Sequence, residues 1–398
     1  SNTWFSVVGN GYVRLLRMIV IPLIFVSITN AIIMQDSKNL GKMATQIIAI
    51  LMITTAIAAF IGAGTASIFK LDASKLQVGE SELQRGESLE SSLEDFQSRP
   101  IPQQLTDIIP TNPFYAMTGQ GSSATLSVVV FAAFIALATI GIRPSKPESA
   151  RVFAEFIQTL HDVVMRMVTM ILRLTPFGVL ALMTRMVSTS DFVEILRLIN
   201  FVIASYVALA IVFIVHLVIL AIYGLNPITY VKKASTALLF AFSSRSSAGA
   251  LPINVETQID KLGVSPGHAN LSASLGTSIG QNGCAGVYPA MLAVMIAPTM
   301  GINPMAPAFL IKLIIVIAIA SFGIAGVGGG ATFAALTVLS AMGMPVALVG
   351  LLIAIEPLID MGRTLVNVSD AMVAGLVSSK RMGALDMEVY NSPIEIDA

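Results

Sequence analysis

The sequence predicts an all-α polytopic membrane protein, and three observations carry that expectation. Its 398 residues are 55% hydrophobic and 12% charged, with a mean hydropathy of +0.82, which is about half the charge density of a soluble globular chain. Two stretches, Leu262 to Ile311 and Leu313 to Ile355, hold no Asp, Glu, Lys or Arg, with Lys312 the only charge between them. Each exceeds the roughly 20 apolar residues that one bilayer-spanning helix requires. The remaining charges are segregated by loop, as described below. The balance of 23 basic against 23 acidic residues excludes a basic nucleic-acid surface. A single cysteine, Cys284, excludes an internal disulfide framework, and His161, His216 and His268 lack metal-ligand spacing, so no metal or cofactor is expected.

The opening Ser1-Asn2-Thr3-Trp4 shows neither a basic n-region nor a cleavage site, so no signal peptide is expected. Apolar runs predict helices over about 11–34, 40–69, 107–142, 150–187 and 192–223. Beyond these, Gly and Pro break the apolar pattern. A helical hairpin is predicted at about 235–258, then a broken helix at 268–298 carrying Gly276, Gly280, Gly283, Gly286 and Pro289. A second hairpin at about 309–343 carries Gly323, Gly326, Gly328, Gly329 and Gly330, and a last helix covers 346–379. Broken backbone at membrane depth is tolerated where it is buried in protein or lines a cavity. The order hairpin, broken helix, hairpin, helix suggests two units of inverted topology.

Residues 72–107 form the one long polar insertion, with eight acids against three bases. Basic residues gather in other loops: Lys38 and Lys42, Arg143, Lys146 and Arg151, Lys232 and Lys233, Lys380 and Arg381. With alternating spans these bases share one side, which places the C-terminus in the cytoplasm and the acidic loop outside. Acid-rich segments poor in aromatics rarely fold alone, so this loop reads as a solvated tether.

The run Glu356-Pro357-Leu358-Ile359-Asp360-Met361-Gly362-Arg363-Thr364-Leu365-Val366-Asn367 is the most informative in the chain, because ionisable groups inside a membrane are costly and normally face a cavity or a partner. At about 100° per residue, Glu356, Asp360, Arg363 and Asn367 project at about 0°, 40°, 340° and 20°, one narrow stripe. Such a face suits a zwitterion: arginine grips a carboxylate, aspartate accepts from an ammonium, and asparagine serves either. The competing reading is a structural Asp360–Arg363 pair at i, i+3 that neutralises two buried charges. A second cluster, Ser243-Ser244-Arg245-Ser246-Ser247-Ala248-Gly249-Ala250-Leu251-Pro252, fits a hairpin tip that offers backbone N–H groups to an anion, or alternatively a cytoplasmic turn. The tract Gly326-Val327-Gly328-Gly329-Gly330 lacks the Lys-Ser/Thr ending of a phosphate loop and reads as a flexible gate.

With these clusters in order, the sequence resembles the dicarboxylate/amino acid:cation symporter family, which includes the glutamate and aspartate transporters. The matching stretches are Arg17 to Pro22, Ile109 to Phe114, Ser244 to Ser247, Gly276 to Pro289, and Asp360-Met361-Gly362-Arg363-Thr364-Leu365-Val366-Asn367-Val368. The resemblance implies a glutamate-transporter-homologue fold with two re-entrant helical hairpins, discontinuous helices and inverted repeats, and one further helix ahead of Ser1. It also implies a homotrimer in the bacterial inner membrane, working by an elevator-type movement of each transport domain. The implied division is a scaffold helix at 1–39, a transport-domain helix at 40–71, the extracellular loop at 72–107, scaffold and trimerisation helices at 108–190, a transport domain at 191–380 and a cytoplasmic tail at 381–398. Family roles fall on Ser246, Ser247 and the hairpin tip for the α-carboxylate, on Val327 and Gly328 with the gate glycines Gly326, Gly329 and Gly330, on Asp360 for the ammonium, on Arg363 for a distal carboxylate, and on Thr364 and Asn367 for the amino-acid backbone.

The chain departs from the sodium-coupled members in two places. Where they read Asn-Met-Asp-Gly-Thr, it reads Gly280-Gln281-Asn282-Gly283-Cys284, and a second sodium aspartate falls on Ala371, with Asp370 one position early and rotated by about 100°. The run Gln281 to Met291 looks like the bacterial L-cystine uptake branch, in which Cys284 lies at the substrate. The resulting expectation is a symporter that imports L-cystine together with protons, Glu356 carrying the proton. Sodium-coupled uptake of aspartate or glutamate is the alternative. A thiol–disulfide role for Cys284 is disfavoured, because nothing basic lies nearby in sequence to generate a thiolate. An enzyme is not expected, since no histidine or lysine is placed to activate Ser246 or Ser247, and repeated pore-lining charges of a channel are missing.

Overall fold

The computed structural model describes residues 37–73, 109–118, 124–174, 198–277, 279–321, 330–345 and 355–393, with isolated positions between 7 and 33, between 177 and 184, and at 349 and 352. Among the described residues every regular element is a helix. In chain order these are α1 (Ser37–Ile68), α2 (Pro113–Met117), α3 (Ala124–Ile142), α4 (Pro147–Leu172), α5 (Ile199–Ile222), α6 (Pro227–Ser244), α7 (Leu251–Glu256), α8 (Pro266–Gly276), α9 (Tyr288–Ile296), α10 (Pro307–Ala320), α11 (Gly330–Ala341), α12 (Glu356–Arg381) and α13 (Met387–Asn391). Wider π turns continue α7 over Thr257–Lys261 and lead into α9 over Asn282–Val287, and a 3-10 turn, Ala297–Met300, follows α9.

Among the described residues, three segments are long and apolar enough to cross a membrane: Gly41–Ile68 in α1, Ile199–Ile222, and Asn282–Met300 through α9. Their surroundings differ. Only 33% of the α5 window is buried inside the protein, against 83% for Asn282–Met300, so α9 is core and α5 is wall. Along α5 the outward face carries the large apolar residues Ile203, Val207, Ile211, Ile214, Val218 and Ile222, whereas the inward face mixes Ala204, Ser205, Ala208 and His216 with Phe201, Leu209, Val212 and Leu220. This is the reverse of a soluble helix. In lipid there is no hydrophobic gain in turning leucine-like residues inward, so large apolar residues can stay outside while small and polar ones share the helix contacts.

The same logic packs α1 against the broken segment. Ala58, Ala59, Ala63 and Ala66 share one buried cluster with Val287, Ala290, Met291 and Val294. A β carbon on Gly62 would sit 2.7 Å from the Val287 carbonyl oxygen and 2.9 Å from its α carbon; the two backbones therefore meet where only glycine fits. Between α7 and α8 the contact is polar instead: Gln258 Nε2 donates to Asn254 Oδ1 at 2.8 Å, and Ser272 Oγ donates to Gln258 Oε1 at 3.1 Å.

Several expected boundaries shift, each for a local reason. The helix predicted from 107 starts at Pro113, because Asn112 caps α2 by accepting from the Phe114 and Tyr115 amides, and α2 ends at Met117 with Thr118 as its cap. Asn226 and Pro227 do the same for α6, which starts at Pro227 rather than near 235. Within the span expected for the last helix, α12 begins at Glu356 after a turn at Ile355, and ahead of that turn Val349 and Leu352 are helical; Pro357, without an amide hydrogen, belongs in a first turn. Residues 74–108, the bulk of the polar insertion, lie outside the described residues. Downstream of α12 the chain turns back and docks. The Asp386 amide donates to Gly263 O at 2.8 Å, Tyr390 Oη donates to Asn226 O at 2.9 Å, and Lys233 Nζ donates to Val389 O and to Ser392 Oγ.

Replacing Gly62 by alanine should force α1 off the broken segment and lower stability by about 1–3 kcal/mol. Gly64→Ala, where an added β carbon meets nothing within 4 Å, is the control. Thermal unfolding of the two detergent-solubilised variants should separate them clearly.

Candidate functional site

Pro357 fixes the start of α12, and Tyr206 of α5 holds it by donating to Leu358 O at 2.6 Å. From that start the helical repeat brings Glu356, Asp360 and Arg363 together as one cluster. Arg363 Nη2 lies 3.2 Å from Asp360 Oδ1 and 3.4 Å from Glu356 Oε1. Glu356 Oε2 also accepts from Thr332 Oγ1 of α11 at 3.0 Å. The guanidinium carbon stands 4.6 Å from the centroid of the Tyr288 ring, a cation–π contact.

Arg363 is 0% exposed, yet its Nε and Nη1 have no hydrogen-bond partner. Guanidinium carries five N–H donors and no acceptor, and buried donors are normally satisfied. The ion pair therefore uses one edge of the fork and leaves the rest aimed into the protein without an acceptor.

The Asn282–Val287 turn forms the facing wall. A β carbon on Gly283 would lie 2.6 Å from the Arg363 α carbon, so glycine is what lets this turn touch α12. Its amide donates to Asn367 Oδ1 at 2.8 Å, and Asn367 Nδ2 in turn donates to Cys284 Sγ at 3.1 Å and to Gln281 Oε1 at 3.4 Å. Asn367 is thereby held rigid, and Cys284 is drawn into the same buried cluster. Thr364, one residue after Arg363, is buried.

At the α6–α7 turn, Ser246 Oγ accepts from the Gly249 amide at 2.9 Å, and Ser247 is buried. Arg245 takes a left-handed backbone, φ +52°, which costs a residue with a β carbon about 1–2 kcal/mol. This sharp turn places its guanidinium in the electrostatic surroundings of Asp360, and its Nε too is buried without a partner. Of the expected gate, Gly330 is the first residue of α11, while Gly326, Val327, Gly328 and Gly329 lie outside the described residues.

The sequence reading assigned no role to Arg245, Tyr288, Gln281 or Thr332. Arg245 carried a signal, being the only charge in a run of small residues and Pro. The other three are ordinary letters until the broken segment is laid across α12.

The description "Sodium:dicarboxylate symporter family" matches residues 1–381. The chain belongs to this family. Symporter membership makes it a membrane transporter. Among curated relatives, it is 56% identical to the "L-cystine uptake protein TcyP" of Bacillus cereus over 392 residues, 98% of this chain and 84% of the relative. Proteins of the same name in Shouchella clausii and Bacillus licheniformis are 56% and 52% identical, covering 99% and 100% of this chain and 85% and 86% of theirs.

Within this symporter, Arg363→Ala would leave Glu356 and Asp360 facing each other without their counter-charge. Stability should drop by about 3–5 kcal/mol, read as a lower thermal unfolding midpoint, and adding Glu356→Gln to the variant should recover part of it.

Proposed function

We propose that this symporter imports L-cystine, and the observation that carries the reading is the pair of unsatisfied nitrogens on buried Arg363. Cystine is a double zwitterion with two carboxylates and two ammonium groups. Arg363 would take one carboxylate through its free edge, and Asp360 would accept from an ammonium. The turn at Ser246 and Ser247 would receive the other carboxylate, with Arg245 adding a second guanidinium. Thr364, Asn367 and Cys284 would line the amino-acid backbone, and the tract at Gly326, Val327, Gly328, Gly329 and Gly330 would close over it. The name shared by relatives at 52–56% identity supports this substrate over aspartate or glutamate.

The finer features follow from the same reading. We infer a homotrimer in the bacterial inner membrane with the C-terminus in the cytoplasm, two re-entrant hairpins built on α6–α7 and α10–α11, inverted repeats, and an elevator-type movement of residues 40–71 and 191–380 against scaffold segments 1–39 and 108–190. Coupling is to protons rather than sodium. At the positions of two sodium aspartates this chain has Asn282 and Ala371, and Glu356 adds a carboxylate to the substrate-facing cluster. Glu356 would load a proton outside, while Arg363 turns from it to the substrate, and release it inside.

Arg363→Lys keeps the charge but loses the fork. A folded Arg363→Lys protein should bind cystine roughly tenfold to hundredfold more weakly, the equivalent of about 1.5–3 kcal/mol for one charged hydrogen bond. Wild-type affinity in that variant would favour the purely structural ion pair.

Uptake into proteoliposomes distinguishes the coupling ions. An inward pH gradient without sodium should drive cystine accumulation, a sodium gradient at equal pH should not, and Glu356→Gln should lose the pH-driven component. Sodium-driven accumulation of aspartate or glutamate would establish the alternative.

A further inference from the structure

A second polar centre lies one turn past Asn367 on α12 and shares only Asn282 with the site above. Asp370 is 0% exposed, and its carboxylate oxygens lack a hydrogen bond of ordinary geometry, with only the Thr54 hydroxyl and the Asn282 amide standing near enough to donate to them. Its nearest base is His216 of α5, also 0% exposed, with Nε2 3.7 Å from Asp370 Oδ1. Asp370 sits 14 residues beyond Glu356, about 21 Å along the helix at ~1.5 Å per residue. An ionised carboxylate without donors is among the most expensive groups to bury. Nothing cationic compensates it: among the described residues, no lysine or arginine pairs with Asp370.

The groups that face the pair are few. From α1 come Thr54 and Thr55, neither ionisable; the Thr54 hydroxyl has the carbonyls of Ile50 and Leu51 at 2.9 and 3.0 Å, with the Asp370 carboxylate as a further acceptor for its one proton. From α6 comes Tyr230, whose Oη lies 2.8 Å from Ser369 Oγ, with Tyr390 of α13 beyond it. From the broken segment comes Asn282. On α8, His268 is engaged with Ser265 and Met382, the latter about 18 Å along α12 from Asp370.

His216 is held at both ring nitrogens, Nδ1 3.0 Å from Ser369 Oγ and Nε2 2.9 Å from the Asn282 amide. Asn282 can meet it in either protonation state. Thr55 Oγ1 has one proton but two acceptors within reach, Leu51 O at 2.7 Å and Asn282 Oδ1 at 3.0 Å. When Thr55 donates to Asn282, the amide NH2 faces His216 and requires a bare Nε2. When Thr55 donates to Leu51, the amide can turn over, donate to Thr55 and present its oxygen to a protonated Nε2. Serine at Nδ1 is equally adaptable. An ionised aspartate in place of Asn282 could only accept.

We propose that Asp370 and His216 form a second, buried proton-carrying site of this transporter, which moves one proton with each imported substrate. The proposal rests on the proton-driven uptake reading above, but not on Glu356. With one proton the pair is net neutral, either as carboxylic acid and imidazole or as carboxylate and imidazolium. Without it the pair carries one uncompensated negative charge. A pair with no exposure exchanges its proton only when the packing around it opens, and that ties the proton to a conformational step. The link to substrate is short: Asn282 precedes Gly283, whose amide holds Asn367 and whose α carbon abuts Arg363.

The test compares wild-type, Glu356→Gln and Asp370→Asn proteins in proteoliposomes, measuring cystine counterflow and the number of protons entering per cystine with an entrapped pH indicator. Asp370→Asn should keep counterflow while its proton count falls by one and its pH-driven accumulation drops several-fold. An unchanged proton count in an Asp370→Asn protein that runs counterflow would overturn the pair and leave Glu356 standing. Accumulation by the wild type on sodium alone would remove the proton reading and the pair with it. Should Asp370→Asn fail to fold, the wild-type protein still decides. With three histidines in the chain, nitrogen-labelled histidine NMR should show the His216 ring changing protonation with cystine and pH, and a ring indifferent to both would refute the pair.

Discussion

A guanidinium sealed from water must be met by fixed charge, and the placement of Arg363 follows from that requirement. Its two carboxylates come from its own helix, at i−3 and i−7, so the local helical repeat alone is enough to bring the charges together. Buried ion pairs add little net stability, because desolvation offsets attraction. Their retention in a membrane segment therefore points to what the remaining donors are kept for. Two nitrogens without partners make Arg363 an incomplete site rather than a finished salt bridge.

Completing the cluster depends on backbone that is not regular helix. The segment between α8 and α9 crosses α12 so closely that Gly283 touches the Arg363 backbone, and a continuous α-helix there would direct its amides along its own axis. Broken into a wider turn, the segment frees the Gly283 amide to fix Asn367, and sets Cys284 and Gln281 on the other side of the same amide group. Unpaired backbone of this kind survives at membrane depth only when protein surrounds it, and the burial of Asn282–Met300 meets that condition.

What was legible in the sequence divides along this line. The all-helical fold was readable, because length and composition decide it. Glu356, Asp360, Arg363 and Asn367 could be placed on one face from spacing alone, because they share one helix. The turn at Ile355, which sets Glu356 at the head of α12, is marked in the sequence only by Pro357. Contacts between helices were not readable: His216 and Asp370 are separated by 154 residues, and the sequence gives no periodicity that relates them. Asn282 was read as the loss of a carboxylate. In the fold it is the amide between Thr55 and His216, a positive feature visible only once three elements converge.

The two polar centres on α12 have different energetic consequences under the proposed reading. Cystine carries two positive and two negative charges near neutral pH, so moving it adds no net charge, and the membrane potential acts on the substrate only through a coupled cation. One elementary charge across 100 mV is worth about 2.3 kcal/mol, equivalent to roughly fiftyfold accumulation at 1.4 kcal/mol per tenfold. A second proton multiplies the ratio by the same factor. Glu356 touches Arg363 and so exchanges its proton in direct competition with substrate, whereas Asp370, one turn past Asn367, is linked to the substrate cluster through Asn282 and Gly283. A site of that second kind adds driving force without using a group that pairs with Arg363. This explains why a bare carboxylate, costly in any membrane helix, is tolerable at Asp370 only if it is neutralised each time the domain is closed.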